Sequence, residues 1–196
     1  MSKMLLNKHF EILKFFTTNL NEERYGRELA KKTSLSQKAM ALSLKELEEK
    51  GILKSKTKGN IKNYSLNLKN KDLKDVIILV EILKKLEFLK KHRLLKEIFN
   101  GDNRIVGIFG SYAKGTETKI SDVDLFIIGK EQKQDYDKKG ELFDLEINIK
   151  YFRKGEFKRL LREKKNLGKE IVRNHVLISG FESFVYLIWK AFYGFD

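Results

Sequence analysis

The chain has 196 residues, enough for one large domain or two small ones, and its 41 Lys and Arg against 27 Asp and Glu give a formal net charge of +14. It has no cysteine, which excludes disulfides and thiolate metal sites, and no proline, which leaves glycine as the main signal for boundaries. The basic balance favours a polyanionic partner such as nucleic acid or a nucleotide, although a solvated lysine-rich surface would have the same composition.

The N-terminal segment has apolar residues at helical spacing and charges between them, which predicts an amphipathic helix and not a signal peptide. The apolar positions are Leu5, Phe10, Ile12, Leu13 and Phe16. No uninterrupted apolar stretch in the chain is long enough to span a bilayer. We therefore expect a soluble, cytoplasmic protein that does not bind membranes.

Two further helices and a hairpin are predicted next. The second helix covers 24–32, and the third covers 37–50, with Ser36 as its N-cap and Gly51 after its end. Two strand-like runs, 52–56 and 63–66, flank a turn at 57–60.

Three helices followed by a hairpin, with the runs Glu28-Leu29-Ala30, Leu35-Ser36-Gln37 and 44–53, resemble a winged helix-turn-helix domain. Prokaryotic regulators of the multiple-antibiotic-resistance-repressor and arsenic-repressor type share this domain. The resemblance implies DNA binding by the third helix and the wing. The candidate contacts are Gln37, Lys38, Lys45, Lys54, Lys56, Lys58 and Lys62. Apolar residues on the outer side of the third helix fit DNA less well, so dimerisation or protein docking is the alternative.

The segment 71–99 is predicted to be one helix, or two helices broken near 90–92. It is apolar around much of its circumference, which favours burial between domains or in a homodimer. We therefore divide the chain into an N-terminal domain at 1–69, a helical linker at 70–99 and a third domain at 100–196.

The segment 109–124 contains the most informative pattern in the chain. Two short apolar runs, 105–109 and 123–128, predict strands on either side of a turn at Gly110-Ser111. Because side chains alternate along a strand, Asp122 and Asp124 should point to the same side.

Two adjacent carboxylates repel each other unless a cation lies between them, and Mg²⁺ prefers oxygen ligands of this kind. The Gly110-Ser111 turn offers backbone N–H groups without a bulky side chain, which suits a phosphate. The pattern therefore predicts a site for a metal ion and a phosphate, which is typical of nucleotide chemistry.

The remaining elements alternate between helices and strands. The polar segment 131–143 is predicted to be a short helix or a loop, and 144–152 a strand that carries Asp144, Glu146, Asn148 and Lys150 on one face. Helices at 155–164 and 167–174, a short strand or extended turn at 176–179, and an aromatic helix at 181–193 complete the chain. The aromatic residues of the last helix suit core packing or a partner interface.

Gly110-Ser111, then Gly115, then Ser121-Asp122-Val123-Asp124-Leu125 resemble the signature of the DNA polymerase beta nucleotidyltransferase superfamily. Within it, the chain is most similar to the minimal, antitoxin-type nucleotidyltransferases of small prokaryotic proteins, over about Ile105 to Gly180. The expected fold class is α+β: a winged helix-turn-helix domain, a helical linker, and a polymerase-beta-like domain with a small mixed sheet flanked by helices.

The resemblance also implies site residues. Asp122 and Asp124 would bridge two Mg²⁺ ions, and Glu146 would be the third carboxylate, with Asp144 as the alternative. ATP or another nucleoside triphosphate would be the substrate. Residues that would bind its phosphates are Gly110, Ser111, Lys114 and Ser121.

The expected activity is Mg²⁺-dependent transfer of a nucleotide, AMP from ATP, to a hydroxyl of a protein or nucleic-acid partner. Relatives of this type serve as antitoxins, which implies a toxin-like protein as partner. The alternative is a DNA-binding transcription regulator whose nucleotidyltransferase domain senses a nucleotide or a partner.

Overall fold

The protein is described by a computed structural model that covers residues 3–18, 22–99, 101–130 and 136–193, with side chains from residue 8 onward. The chain forms two compact units, Met1–Val80 and Glu81–Asp196. None of the described helices combines the length and the apolar character needed to cross a membrane. Leu5, whose side chain falls outside the described part, cannot be compared with the predicted first helix.

The first unit contains three helices and a three-stranded antiparallel sheet with the strand order β1-β3-β2. Its elements are α1 (Lys3–Thr17), β1 (Arg24–Tyr25), α2 (Gly26–Lys32), α3 (Gln37–Glu49), β2 (Leu53–Lys58) and β3 (Ile61–Leu66). Ile12, Leu29, Met40 and Leu44 are buried to 1% exposure or less, so α1, α2 and α3 share one apolar core.

The third helix and the hairpin form where the sequence predicts them. The Ser36 hydroxyl accepts a hydrogen bond from the amide N–H of Ala39 at 3.2 Å, and so caps one of the free N–H groups of α3. Gly51 follows the helix with φ of +68°, a left-handed conformation that glycine adopts without a steric penalty. The hairpin turn is tighter than predicted, because the strands continue to Lys58 and resume at Ile61.

The predicted start of the second helix is wrong. Arg24 and Tyr25 form a short strand, in which Arg24 pairs with Tyr64 of β3. The Arg24 side chain is buried and donates hydrogen bonds to the carbonyl oxygen of Phe15 and to Glu28, both at 3.0 Å. These tertiary partners hold the backbone in an extended form that the helical pattern of the sequence does not indicate.

The second unit is built on a four-stranded mixed sheet with the order β6-β5-β4-β7, in which β5 and β6 are parallel and the other pairs antiparallel. Its strands are β4 (Ile105–Ile108), β5 (Val123–Ile128), β6 (Ile147–Phe152) and β7 (Val176–Ser179). Its helices are α5 (Arg93–Ile98), α6 (Gly110–Lys114), α7 (Tyr136–Glu141), α8 (Lys154–Arg162), α9 (Asn166–Arg173) and α10 (Phe181–Tyr193), and α4 (Leu73–Lys91) contains the division between the units.

Apolar side chains cover both faces of this sheet. On one face, Val123, Leu125 and Ile127 of β5 join a buried cluster with residues of α4, α5 and α7. On the other face, the Phe126 ring lies 6.4 Å from the Phe157 ring of α8 and 5.8 Å from the Phe184 ring of α10. Because successive residues of β5 point to opposite faces, Asp122 and Asp124 lie on the face of α8 and α10.

The long helical segment breaks at His92, in agreement with the two-helix alternative. The prediction of burial holds in part, since Ile77 and Val80 are buried while Leu79 and Leu86 are 49% and 59% exposed. The predicted helix or loop at 131–143 begins outside the described residues, and its described part contains α7.

Helix α10 has buried aromatic residues on one face and exposed ones on the other. Phe184 and Trp189 are buried in the core, whereas Tyr186 and Phe192 are 44% and 37% exposed. The core-packing interpretation is therefore correct for the inner face of this helix, and the outer face leaves aromatic surface in contact with solvent.

A buried charged cluster joins the second half of α4 to the segment after α9. Glu81 is 2% exposed, and its carboxylate lies 2.8 Å from Lys84 Nζ and 3.3 Å from His175 Nε2. Burial alone would raise the pKa of Glu81, but the charges of Lys84 and His175 lower that pKa to about 2. On its other side, His175 Nδ1 lies 2.8 Å from the carbonyl oxygen of Ile171, so Nδ1 carries the donated proton.

Candidate active site

The two aspartates lie where β4 ends and β5 begins. Asp122 directly precedes β5, and Asp124 is the second residue of that strand. The amide N–H of Phe109, just after β4, donates to the carbonyl oxygen of Asp124 at 2.9 Å. Val123 and Leu125 are fully buried on the opposite face, as the alternation in the sequence predicts. The strand pairing thus places both carboxylates beside the turn that follows β4.

Glycine is required at the point where this turn meets Asp124. Gly110 has φ of +69°, and a Cβ atom at this position would overlap the carboxylate of Asp124. An L-residue side chain would meet both a backbone penalty and a steric clash there. The predicted open turn is in fact one turn of helix, α6, which begins at Gly110 and ends at Gly115 in the left-handed conformation.

Burial and nearby negative charge both act on Asp124. Burial raises the pKa of the Asp124 carboxyl above its ordinary value, and the charges of Asp122 and Glu170 add to the rise. Lys150 and Lys114 act in the opposite direction without cancelling the shift. The ionised form of Asp124 is therefore disfavoured by its surroundings, and a cation at this place would restore it.

Strand β6 brings an amide to the aspartate pair. Asp124 is in register with Asn148, and the Asn148 side-chain amide donates a hydrogen bond to Asp122 Oδ2. The parallel ladder extends one residue beyond the strand, because the amide N–H of Val123 donates to the carbonyl oxygen of Glu146 at 2.8 Å. Glu146 is exposed and adjoins Asp122 in this ladder.

The alternative third carboxylate, Asp144, is not on the strand, so the prediction of a strand from 144 is wrong at its start. Asp144 has φ of +53° and lies in the turn that ends α7, where Phe143 and Leu145 both donate from their amide N–H groups to the carbonyl oxygen of Gly140. Asp tolerates this left-handed conformation better than most residues. The turn removes Asp144 from the alternation that puts Glu146 and Asn148 on one face.

The expected phosphate-binding residues have different partners. Ser111 lies within α6, and Lys114 Nζ forms an ion pair with Glu170 Oε1 of α9 at 2.5 Å. The Ser121 hydroxyl accepts from the amide N–H of Thr118 at 2.9 Å, which closes the loop before Asp122. Gly110, Ser111 and Lys114 thus stay together on α6, whereas Ser121 has a structural role in the loop.

Three residues near the aspartates were not among the predicted site residues: Asn148, Lys150 and Glu170. The alternation along β6 already places Asn148 and Lys150 on the face of Glu146, so their sequence pattern could have indicated them. Nothing local identifies Glu170, which reaches Lys114 only through the packing of α9. Within the described part of the chain, no three His, Asp or Glu side chains are arranged as a ready-made metal cluster.

The predicted DNA-contacting residues of the first unit are exposed, but several already have ionic partners. Gln37 and Lys38 are exposed near the start of α3, and Lys54 and Lys56 are exposed on β2. The paired lysines are Lys45 with Glu49 at 3.5 Å, Lys58 with Glu23 at 2.6 Å, and Lys62 with Glu48 at 2.7 Å.

Comparison with known proteins adds an independent finding for the second unit. The model of the family described as Polymerase beta, Nucleotidyltransferase matches residues 93–182. This match supports a nucleotidyltransferase domain of the polymerase beta type in that part of the chain. The match includes α6, the aspartate pair and β6, and it spans the predicted region of resemblance from Ile105 to Gly180. The searches of curated proteins and of solved structures return no match.

The contact between Gly110 and Asp124 leads to a stability prediction. Gly110→Ala should lower the free energy of unfolding by more than Gly115→Ala, measured by urea denaturation. Both glycines have nearly the same left-handed backbone, with φ of +69° and +71°, and each substitution should cost about 1–2 kcal/mol for that conformation. Only Gly110→Ala adds a clash with Asp124, worth about 1–3 kcal/mol more, because no atom lies within 4 Å of a Cβ at Gly115. Equal losses in the two variants would contradict the close packing of Gly110 on Asp124.

Proposed function

We propose that the second unit is a Mg²⁺-dependent nucleotidyltransferase that moves a nucleotide, AMP from ATP, to a hydroxyl of a protein or nucleic-acid partner. The observation that carries this proposal is the pair of carboxylates, Asp122 and Asp124, held beside the start of α6 inside the segment that matches the nucleotidyltransferase family. Two carboxylates that are held side by side despite their mutual repulsion suit a role in binding cations.

The residues present fit a magnesium site. The raised pKa of Asp124 reflects burial and an excess of negative charge, and hard carboxylate oxygens are the ligands that Mg²⁺ prefers. Asp122 and Asp124 would bridge two ions, and Glu146 would be the third carboxylate, since it adjoins Asp122 in the ladder. Asn148 donates to one oxygen of Asp122 and would orient that carboxylate. When bound, the two ions would lower the pKa of the acceptor hydroxyl and neutralise the phosphates.

The other residues of the site would position the triphosphate. Gly110 and Ser111 offer backbone N–H groups at the start of α6, and Lys114 brings a positive charge on the same helical turn. In the structure, the Lys114 ammonium group forms an ion pair with Glu170, and a phosphate would compete with Glu170 for it. The acceptor hydroxyl would give its proton to the Glu146 carboxylate, and its oxygen would attack the α-phosphorus. The bond from the α-phosphorus to the oxygen shared with the β-phosphate would break, and pyrophosphate would leave in line.

The partner proposed for this activity is a toxin-like protein, as in antitoxin-type relatives. The exposed aromatic surface of α10, at Tyr186 and Phe192, is where a protein partner would find apolar contact. A homodimer and a cytoplasmic location belong to the same proposal and rest on the sequence pattern.

A catalytic test uses single carboxylate changes. Asp122→Asn and Asp124→Asn should each reduce pyrophosphate release from ATP and Mg²⁺ by about a hundredfold or more, because each removes a ligand of both ions. The assay contains, as the candidate acceptor, the protein product of a neighbouring open reading frame. A wild-type rate no higher than that of the two variants would contradict the proposed activity.

The third carboxylate is tested in the same assay by two matched variants two residues apart. Glu146→Gln should lower the rate by about tenfold or more, whereas Asp144→Asn should leave it within about twofold of wild type. The opposite order would place the third ligand on the turn after α7 and overturn the role proposed for Glu146.

DNA binding by the first unit is a second candidate function, and one observation favours it. Three helices precede a β2–β3 hairpin whose lysines are exposed, which is the arrangement expected of a winged helix-turn-helix domain. Lys54 and Lys56 on β2 would contact phosphates, and Gln37 and Lys38 would approach bases. The chain would then be a transcription regulator whose second unit senses a nucleotide or partner.

The DNA-binding candidate predicts a salt-dependent loss. Lys54→Ala combined with Lys56→Ala should weaken binding to the chain's own promoter by about tenfold and reduce the salt slope by about 2, because two phosphate contacts disappear. The matched control is Lys50→Ala with Lys69→Ala, which removes the same charge elsewhere in the first unit. Equal effects of the two pairs, or binding that does not change with salt, would contradict phosphate contact by the hairpin.

A further inference from the structure

A large cleft lies at the end of the second-unit sheet that is remote from the aspartates. It has a volume of about 1220 Å³ and is lined at the carboxyl ends of β5 and β6 and at the start of β4. Asp124 and Ile128 are four residues apart on β5, so the cleft lies about 13 Å along the strand from the aspartate pair. The cleft is therefore separate from the candidate active site.

Basic side chains outnumber acidic ones in the lining of this cleft. Lys130 follows β5, and Arg153 and Lys154 follow β6, all three exposed. None of the three side chains makes an ion pair with a carboxylate of a described residue. The carboxylate of Glu156 also lines the cleft, and its Oε2 accepts from the amide N–H of Arg153 at 2.8 Å. Three cations thus face one carboxylate, which leaves the cleft positive.

A network of hydrogen bonds around Arg104 lies next to these cations. Arg104 is held by the buried carboxylate of Asp102 through a 2.6 Å contact, and Asp102 also accepts from the Tyr136 hydroxyl at 2.7 Å. The second guanidinium nitrogen of Arg104 donates to the carbonyl oxygen of Lys130 at 3.0 Å. This chain of hydrogen bonds holds the backbone at Lys130, from which its exposed side chain extends at the edge of the cleft.

An aromatic ring stands beside the charges. Tyr151, near the end of β6, is 39% exposed and lines the same cleft. A flat ring next to several cations is the combination that binds a base by stacking and a phosphate by charge. The cleft is also large enough for a nucleotide-sized ligand.

We propose that this cleft binds a nucleotide unit, either free or as part of a single-stranded nucleic acid, with its phosphate on Lys130, Arg153 and Lys154 and its base on Tyr151. The site differs from the one proposed for nucleotidyl transfer, and it does not depend on catalysis at Asp122 and Asp124. Bound there, a ligand would contact the strand ends opposite the catalytic carboxylates.

The test measures binding of two fluorescein-labelled probes, AMP and a single-stranded hexaribonucleotide, to the full chain by anisotropy. EDTA is present, so metal-dependent binding at the aspartates does not contribute. Lys130→Glu combined with Lys154→Glu should weaken binding by about tenfold or more, because two charged contacts to phosphate become repulsive. Tyr151→Leu should weaken binding by about fivefold or more through lost stacking.

Two controls make the result specific. Lys90→Glu with Lys96→Glu changes the net charge by the same amount at exposed positions of α4 and α5 and should alter affinity by less than about twofold. Asp122→Asn with Asp124→Asn should leave binding intact, which separates this site from the proposed catalytic one.

The two probes distinguish the source of the nucleotide. Cleft-dependent binding of AMP assigns a free nucleotide, and cleft-dependent binding of the oligonucleotide alone assigns a nucleic-acid strand; either result supports the site. The proposal is overturned if neither probe binds, if the control lysine pair causes the same loss, or if the loss follows the aspartate variant. An unchanged affinity in Tyr151→Leu would also overturn it, because the cleft would then bind only an anion and not the base of a nucleotide.

Discussion

The close approach of Gly110 to Asp124 is the contact on which the candidate site depends. It joins the end of β4 to the start of β5 and leaves room for a carboxylate only because residue 110 has no Cβ. The same left-handed residue starts α6, so one position sets both the direction of the helical turn and the place of Asp124. Burial and the nearby charges of Asp122 and Glu170 then raise the pKa of Asp124, so a cation bound there would favour its ionised form.

The parallel pairing of β5 and β6 organises both ends of the second unit. At one end its register pairs Asn148 with Asp124, and the Asn148 side chain donates a hydrogen bond to Asp122. Glu146, one residue before this strand, adjoins Asp122. At the other end the same two strands finish together and open the basic cleft around Lys130 and Arg153. One strand pair therefore carries two groups of charged side chains of opposite sign, an acidic one and a basic one, at its opposite ends.

Features set by local sequence were predicted correctly, and features set by distant partners were not. The common face of Asp122 and Asp124 and the Ser36 cap follow from short-range patterns, and the structure contains them. A change of direction at Gly110 follows from the same kind of pattern, although the structure forms it as a helical turn and not as an open one. Arg24 was assigned to a helix, because its pairing with Tyr64 and its bond to Phe15 come from folding of the whole unit. Asp144 was assigned to a strand, because alternation does not reveal a left-handed turn. The sequence does not indicate Glu170 either, because only the tertiary packing of α9 brings its carboxylate to Lys114.

The proposed metal site requires that a cation change the protonation of Asp124, whose pKa is raised by its surroundings. The most direct measurement is an NMR titration of the Asp124 side-chain carboxyl carbon in the full chain, first with EDTA and then with Mg²⁺ and a non-hydrolysable ATP analogue. We expect the pKa of Asp124 to lie above the ordinary aspartate range in EDTA. Mg²⁺ with the analogue should lower this pKa well below that range. An Asp124 that titrates at the ordinary value in EDTA and does not respond to Mg²⁺ and the analogue would contradict the proposed metal site.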